Sequence, residues 1–379
     1  MTTAILIEPL DVLLFRDGKP FSAGADHLAR SVFPPFPTTI AGFIRSRLYL
    51  EAGSNWSRAR EMFGDPGGPQ AYGDFRLRAA FLHERGVDFV PTPRDCVRAS
   101  TEINNSLESP LAIIGPAVQW PAEGLKTNFP DPQLRPLTSS IGGAFEPAGG
   151  FVSITELFRS ALLGEAPADV VEEKHFVERE PRTAIGMDRA RGVAGEQLLY
   201  AVEFLRLRRD VGFLGALDGV RWPGTGGLDT FGGEKRPVRW TTIASWKPPT
   251  SDTIAQRVDE SRRFKLVLLT PAVFEQGWHP GRRLAQIFDG AGVKVKMVGA
   301  AVDRPSFVGG FDLAANRPKP IRAAAPAGSV YFYEIQGGDP LPLMKTWDLR
   351  AVSDWDWEAG MGISAVGAWT PTPRKGGKQ

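Results

Sequence analysis

The fold is decided by two consecutive runs near the start of the chain, Ile5-Leu-Ile-Glu-Pro-Leu-Asp-Val-Leu-Leu-Phe15-Arg16-Asp-Gly-Lys19-Pro-Phe21 and Phe33-Pro-Pro-Phe-Pro37-Thr-Thr-Ile-Ala-Gly-Phe-Ile-Arg45. The β-branched and aromatic residues of the first run predict a strand over Ala4–Phe15. The prolines of the second run predict a helix that starts after them, over Thr38–Glu51, with Thr38 or Thr39 as its N-cap. A strand, a polar loop and a helix therefore form one unit.

The loop between this strand and this helix is basic, because it contains Arg16, Lys19 and Arg30. Backbone N–H groups at the start of a helix also attract anions. Residues 27–50 contain no acid, and neither do residues 313–333, where Arg317, Lys319 and Arg322 lie. Two acid-free basic stretches are typical either of two halves of one groove for a polyanion or of two solvated faces.

The composition is that of an ordinary globular protein, with 379 residues, 42% hydrophobic and 23% charged residues and a net charge of +2. This length predicts two domains. The small net charge alone does not indicate a nucleic-acid-binding protein.

The single cysteine, Cys96, excludes an internal disulfide and a cysteine-cluster zinc site. No signal peptide or membrane-spanning run is visible, so we expect a cytoplasmic protein without membrane contact.

Strand-like runs outnumber helical ones along the chain, which predicts an α+β fold. The predicted helices are Thr38–Glu51, Ser57–Phe63, Ile154–Leu163 and Ala255–Arg262. The predicted strands after the first are Phe75–Leu82, Val87–Val90, Leu198–Leu207, Val211–Ala216, Val238–Ser245, Phe264–Leu269, Lys294–Asp303 and Ser329–Ile335.

A strand, a helix, a hairpin and a return strand follow each other as in a ferredoxin-like unit. The first unit would use Ala4–Phe15, Thr38–Glu51, Phe75–Leu82, Leu198–Leu207 and Val238–Ser245. We predict an N-terminal domain over residues 1–248 with an insertion at about 92–196, a C-terminal domain over 253–369, and a disordered basic tail over 370–379. The linker is the proline-rich segment 247–252.

Two glycine pairs stand beside cations. The first pair lies in Phe231-Gly-Gly-Glu-Lys-Arg236 and the second in Val308-Gly-Gly-Phe-Asp312. The second pair is followed by the basic segment Arg317-Pro-Lys-Pro. Paired glycines let backbone amides approach a phosphate, although a tight turn that needs positive φ explains them equally well. Prolines would hold the second segment extended along an RNA backbone. Aromatic or imidazole rings beside the basic loops are candidates for stacking on bases, namely Phe21, His27, Phe36 and Phe311.

Further blocks follow the two opening runs. They are Pro181-Arg-Thr-Ala-Ile-Gly186-Met-Asp188, Gln197-Leu-Leu-Tyr-Ala-Val-Glu-Phe-Leu-Arg206, Phe231-Gly-Gly-Glu-Lys-Arg236, Gly309-Gly-Phe-Asp-Leu, Pro318-Lys-Pro and Pro326-Ala-Gly-Ser-Val-Tyr-Phe. In content and order, to about Ile335, the chain resembles the RAMP-superfamily proteins that form the third subunit of the type III-B CRISPR effector, the Cmr complex.

This resemblance implies two ferredoxin-like (RRM-like) RAMP domains with long inserted loops and glycine-rich loops. It implies a non-catalytic RNA-binding subunit that holds the 5′ handle of the crRNA, without metal or other cofactor. The implied partners are the large polymerase-like subunit and the first backbone RAMP subunit. The site residues expected to bind RNA are Arg16, Lys19, Arg45, Gly232, Gly233, Lys235, Arg236, Gly309, Gly310, Arg317, Lys319 and Arg322.

An enzymatic alternative depends on His27. Metal-independent RAMP endoribonucleases that process CRISPR precursor RNA use a general-base histidine near the first helix, and His27 lies in that region. No partner acid or tyrosine stands beside it in the sequence, which favours a non-catalytic role. No P-loop is present, and the carboxylates of Asp354 and Asp356 fit solvated edge acids better than a metal pair.

Overall fold

The computed structural model describes residues 2–16, 28–55, 57–59, 72–103, 106–108, 110–118, 131, 133–139, 144–188, 193–222, 224–243, 246–250, 252–312 and 317–371. Lys19, Phe21 and His27 lie outside the described residues, as do most of the predicted helix at 57–63 and all but the first two residues of the predicted tail.

Among the described residues, the α-helices with defined bounds are few, and all but α1 are short. They are α1 (Pro37–Glu51), α2 (Ile154–Arg159), α3 (Glu173–Phe176), α4 (Asp252–Ser261), α5 (Arg282–Gly290) and α6 (Leu341–Lys345). The strands of the first half are β1 (Thr3–Pro9), β2 (Leu28–Ala29), β3 (Arg76–Glu84), β4 (Val87–Pro91), β5 (Cys96–Ile103), β6 (Ser106–Glu108), β7 (Leu111–Ile113), β8 (Gly115–Pro116), β9 (Leu137–Thr138), β10 (Ala144–Pro147), β11 (Phe151–Ser153), β12 (Val177–Asp188), β13 (Val193–Leu207), β14 (Val211–Asp218), β15 (Gly226–Phe231) and β16 (Arg236–Ile243).

The strands of the second half are β17 (Arg263–Leu268), β18 (Lys294–Ala301), β19 (Ser306–Val308), β20 (Phe311–Asp312), β21 (Arg317–Pro318), β22 (Arg322–Ala324), β23 (Val330–Gly337), β24 (Arg350–Ala351) and β25 (Ile363–Gly367). The fold is therefore mixed α/β and rich in strands, as the sequence predicts. No helix among the described residues is long and apolar enough to cross a membrane.

Helix α1 begins one residue earlier than predicted. Pro37 occupies its first turn, and Phe36 is the N-cap without any side-chain hydrogen bond, so the predicted threonine cap is wrong. Proline is well suited to the first helical position, because the N–H that it lacks would have had no partner there. The apolar side chains of Ile40, Ile44 and Leu48 are buried against the sheet.

The first half forms a seven-stranded sheet with the order β11-β4-β3-β14-β1-β16-β15. The prediction that 198–207 supplies a strand of this sheet is wrong, because β14 lies between β1 and β3. Strand β14 fits this central position, since its first seven residues are all buried. Gly215 also leaves room for α1, where a Cβ would lie 2.8 Å from Ile40.

Residues 198–207 instead belong to β13, which forms a long antiparallel ribbon with β12 and pairs with β2. The first strand is also shorter than predicted, because β1 ends at Pro9. After the exposed Leu10 and Asp11, residues 12–15 are buried again, and Leu13 reaches the ribbon through an isolated bridge to Leu205. The predicted hairpin of β3 and β4 around Arg85-Gly86 is confirmed, with φ of 48° and 84° at the turn.

The second half forms a five-stranded sheet with the order β18-β23-β17-β25-β24. A single hydrophobic cluster connects the two sheets, with Phe81 and Leu214 of the first sheet and Leu266 and Phe332 of the second. The segment 246–250 has no regular structure and α4 begins at Asp252, in keeping with the predicted linker. The domain boundaries themselves stay predictions.

Much of the predicted insertion packs on the rest of the molecule. Lys265 of β17 forms a fully buried ion pair with Asp95, and Arg135 forms a two-pronged ion pair with Glu334 of β23. Further along the same segment, Leu157 is fully buried in the core shared by both sheets. The described part of the insertion is therefore attached to the second sheet.

Candidate nucleic-acid interface

The first glycine loop is anchored in the core by Phe231. Its ring is buried and contacts Phe15 and Phe43, with centroids 5.1 and 5.6 Å away. The N–H of Gly233 donates to Leu14 O at 2.8 Å. Gly232 has a φ of 73°, and a Cβ there would lie 2.7 Å from Leu14 O. Gly232 is therefore required by close packing against the chain segment that precedes Arg16. Gly233 packs closely on the same segment, because a Cβ there would lie 3.2 Å from the Leu14 side chain.

The two cations that follow these glycines have different surroundings. Lys235 is exposed with a φ of 50°, and no ion pair joins it to any residue that the structure describes. Arg236 has two acidic partners, Glu234 at 2.6 Å and Asp11 at 3.6 Å. Its guanidinium also stacks on Phe204, 4.5 Å from the ring centroid. Arg236 therefore holds the loop in place, while Lys235 is available to a ligand.

The basic loop after the first strand lies beside this glycine loop. Arg16 is exposed and forms an isolated bridge with Ser31, and the N–H of Val32 donates to Phe15 O at 2.8 Å. Because Leu14 accepts the hydrogen bond from Gly233, Arg16 is two residues from the contact between the two loops. The structure thus brings together two elements that are more than 200 residues apart in sequence.

Arg45 occupies a different environment from Arg16. It is half-buried on α1, with its guanidinium 4.7 Å from the ring centroid of Tyr72. The hydroxyl of Tyr72 donates to Asp356 at 3.2 Å, and burial raises the pKa of Tyr72. Arg45 therefore packs where the two halves meet. Its cation–π contact is with Tyr72, not with the first glycine loop.

The second glycine pair lies within a short two-part hairpin over residues 306–324. Strand β19 pairs with β22, and β20 pairs with β21. Between these pairs, the N–H of Lys319 donates to Gly310 O at 2.9 Å. Gly310 has a φ of 151°, and a Cβ there would meet only the Lys319 side chain, at 3.8 Å. Gly310 therefore shapes a hairpin and is not pressed against the core.

The cations of this hairpin also differ from one another. Arg317 and Lys319 are exposed, whereas Arg322 is half-buried and stacks on Trp355 at 4.6 Å. Phe36, predicted as a base-stacking residue, is partly buried and packs against a cluster that includes Val308 at the hairpin base. Phe36 is therefore a packing residue. The hairpin base and the residue before α1 thereby belong to one hydrophobic cluster.

The described residues contain no group of His, Cys, Asp and Glu that could bind a metal ion. Asp354 accepts the N–H groups of Arg283 and Glu275, at 2.9 and 3.0 Å, which identifies it as a loop and helix cap. Cys96 is buried, and burial raises the pKa of its thiol to about 12. The thiol is therefore protonated at neutral pH and is a poor nucleophile.

Each described histidine contacts a group of the protein itself. His83 is buried with Asp88 at 2.6 Å, His175 lies 3.0 Å from Glu84, and His279 lies 2.9 Å from Pro280 O. The carboxylate of Asp88 also accepts from the indole N–H of Trp246 at 2.7 Å. These histidines hold turns and elements together.

Two exposed apolar side chains of the hairpin were not singled out from the sequence. Phe307 is 42% exposed and Ile321 is 46% exposed. Phe307 and Ile321 can be recognised as solvent-facing only when the pairing of β19 with β22 is known, because that pairing shows which residues alternate toward solvent. In the sequence alone, most aromatic residues are expected in the core.

The family model described as CRISPR-associated protein (Cas_Cmr3) matches residues 5–369. No curated protein matches the sequence. A type III-B Cmr-beta structure bound to cognate target RNA and AMPPnP is similar over 87% of this chain and 86% of its own, at 17% identity and a TM-score of 0.47.

Two further structures, the first of them of a type III-A interference complex, are less similar. A chain of the Csm3–Csm4 subcomplex is matched over 97% of this chain and 100% of its own, at 10% identity and a TM-score of 0.36. A chain of the Csm1–Csm4 cassette with AMPPNP is matched over 87% of both chains, at 12% identity and a TM-score of 0.33. Because the family model covers nearly the entire sequence, this chain belongs to the Cmr3 family, the RAMP-type subunits of the type III-B CRISPR effector complex.

Proposed function

We propose that this protein is a non-catalytic subunit that binds the 5′ handle of the crRNA. The observation that carries the proposal is the contact between the first glycine loop and the basic loop after β1, made by the hydrogen bond from Gly233 to Leu14. This contact places Arg16 and Lys235, both exposed, on adjacent loops. Two adjacent exposed cations attract successive phosphates of a single strand.

The remaining predicted site residues divide by their contacts. Arg317 and Lys319 are exposed and join the proposed RNA-binding set. Gly232, Gly233, Gly309 and Gly310 shape the two loops, and Arg236, Arg45 and Arg322 hold aromatic rings or acids of the protein itself. In this proposal, bases of the handle stay unpaired because the irregular loops, instead of a second strand, surround the backbone.

We also propose that each half is a ferredoxin-like unit, with boundaries at about 1–248 and 253–369. The strand orders support this proposal. In the first sheet, β16-β1-β14-β3 are the fourth, first, third and second strands of such a unit, and α1 connects the first two. In the second sheet, β25-β17-β23-β18 repeat the order, and α5 connects β17 to β18.

The proposed partners in the cytoplasm are the large polymerase-like subunit and the first backbone RAMP subunit. Family membership supports this proposal, since Cmr3 proteins are subunits of an effector complex. Co-expression of the three proteins, followed by native mass spectrometry, tests it. A Cmr3 chain that stays separate from both proteins in the presence of crRNA would contradict it.

RNA binding by the purified full chain tests the main proposal. The probe is a fluorescein-labelled guide RNA with a repeat-derived 5′ handle, compared with the same RNA with a scrambled handle. We expect Arg16→Ala/Lys235→Ala to weaken binding of the first RNA at least tenfold and to reduce the salt slope by about 1.4, for two phosphate contacts on a single strand. Lys345→Ala, an exposed lysine on α6, is the matched control and should bind normally.

Equal affinity of the wild type and the double variant for both RNAs would overturn handle binding. The same samples also test for nuclease activity, because cleaved RNA is visible on a denaturing gel. Cleavage that disappears in His27→Ala would overturn the non-catalytic assignment.

A further inference from the structure

The hairpin over residues 306–324 has two chemically different faces. In antiparallel pairs, opposite residues project to the same face, and residues alternate between faces along each strand. Val308 lies opposite Arg322, and Ser306 lies opposite Ala324. Val308 and Ala324 are buried, and Arg322 stacks on Trp355. This face of the hairpin is therefore attached to the protein.

The opposite face is directed to solvent. Phe307 lies opposite Ala323, and both are exposed. Ile321, two residues before Ala323, is 46% exposed, and Phe307 is 42% exposed. Alternation through the extended segment between Pro318 and Pro320 puts Lys319 on the side of Ile321. We call Phe307, Lys319, Ile321 and Ala323, together with the exposed Arg317, the outer face.

The outer face combines apolar surface with positive charge. No ion pair joins Arg317 or Lys319 to a side chain that the structure describes. Asp312, of which only the backbone is described, is opposite Arg317 in the backbone register. The nearby Asp303 is already paired with Arg94 at 2.9 Å. Phe307 is paired with Ala323, and Lys319 precedes Ala323 by four residues on the same face. A face that combines an exposed aromatic ring with cations further along the strand suits single-stranded nucleic acid, since the ring stacks on a base and the cations contact the backbone.

We propose that the outer face is a base-stacking platform for one or two unpaired nucleotides of the bound RNA, with Phe307 as the stacking residue. This inference rests on the proposed RNA-binding function and extends it to residues outside the glycine loops. Lys319 contacts a phosphate further along the same RNA strand, and Ile321, between Lys319 and Ala323, covers the edge of the base. The two prolines keep this strand extended, so that little conformational entropy is lost when RNA binds.

The alternative occupant of an exposed apolar face is another protein. The charge distribution favours RNA. Lys319 lies on the same face as the apolar residues, and no acid is paired with it in the backbone register. The phosphates of a polyanion would neutralise its charge. A protein partner would need acidic residues placed against Lys319.

Fluorescence of a stacked base tests the proposal directly. The probe is a guide RNA with 2-aminopurine at successive handle positions, bound to the full chain. We expect quenching at one or two positions in the wild type and recovery of fluorescence in Phe307→Ala. Affinity should fall about 5- to 100-fold, the range for removal of one base–aromatic stack. Phe307→Trp should restore both quenching and affinity, and Phe307→Leu should restore neither fully.

Phe145→Ala is the matched control, because Phe145 is an exposed phenylalanine of similar exposure (37%) on β10. Thermal unfolding of each variant shows whether the fold is kept. Unchanged quenching and affinity in Phe307→Ala, with lost affinity in Arg16→Ala/Lys235→Ala, would overturn the platform and leave the proposed function standing. Unchanged affinity in both would overturn both proposals. Normal RNA binding together with loss of co-purification with another Cmr subunit would identify the outer face as a protein interface and overturn the platform.

Discussion

The two glycine pairs look alike in the sequence, but the structure uses them differently. Gly232 and Gly233 are pressed against Leu14 and Phe15, and a Cβ on Gly232 would lie 2.7 Å from Leu14 O. Gly310 lies in a hairpin, where a Cβ would meet only the side chain of Lys319, at 3.8 Å. A glycine pair beside cations therefore indicates a specially shaped backbone, and does not by itself indicate that a ligand approaches the glycines.

The cations that follow each pair repeat the same division of roles. Arg236 and Arg322 stack on aromatic rings of the protein, whereas Lys235 and Lys319 are exposed. One cation of each loop thus fixes the loop, and the other is available to a ligand. Exposure and existing partners, which only the structure provides, separate these roles.

The largest effect is expected from Gly232→Ala. The new Cβ would clash with Leu14 O and the Phe15 ring, and the φ of 73° is unfavourable for alanine. We expect the free energy of unfolding to fall by about 3 kcal/mol, measured by urea denaturation. Gly53→Ala, with a φ of 70° and no atom within 4 Å of its Cβ, is the control for backbone strain alone and should cost about 1 kcal/mol. Equal losses in the two variants would contradict the packing role.

A smaller effect is expected from Gly310→Ala. Its φ of 151° is unfavourable for alanine, but the only atom near the new Cβ is at the flexible Lys319 side chain. We expect a loss of about 1.5 kcal/mol in the same denaturation experiment. If Gly310→Ala destabilises the protein more than Gly232→Ala, the contrast between the two loops is wrong.

Arg322→Ala should affect stability slightly more than Arg317→Ala. Removing Arg322 loses its stacking on Trp355 and the cover that its aliphatic stem gives to the hairpin base, at a cost of about 1 kcal/mol. Arg317 is exposed, and its removal should change stability by less than about 0.5 kcal/mol. Thermal unfolding of the two variants compares them, and a reversed order would show that Arg322 is not the anchoring cation.

The smallest effect is expected from Lys319→Ala. The protein should keep its stability, because this side chain is exposed and makes no ion pair with a side chain that the structure describes. Affinity for the handle-bearing RNA should fall only a few-fold at moderate salt, and the salt slope should decrease by about 0.7, for one phosphate contact. Fluorescence anisotropy over a salt series measures both quantities. An unchanged slope would remove Lys319 from the interface.

The sequence predicts the elements with strong local signals. Strands β17, β18 and β23 and the hairpin of β3 and β4 lie where apolar runs and the Arg85-Gly86 turn put them. The sequence does not identify which strand lies between β1 and β3, because residues 198–207 and residues 211–216 are both apolar enough for a central strand. Only the long-range pairing of β14 with β1 and β3 decides between them.

Order and composition of the motifs were enough to identify the family, since these motifs recur along almost the whole chain. The sequence also shows directly which segments carry positive charge. The tertiary structure alone decided which of these cations are available. Arg236 has a local partner in Glu234, but it is also held by Asp11 and Phe204, which are distant in sequence and come close only when the chain folds. Lys235 has no ion pair with a residue that the structure describes.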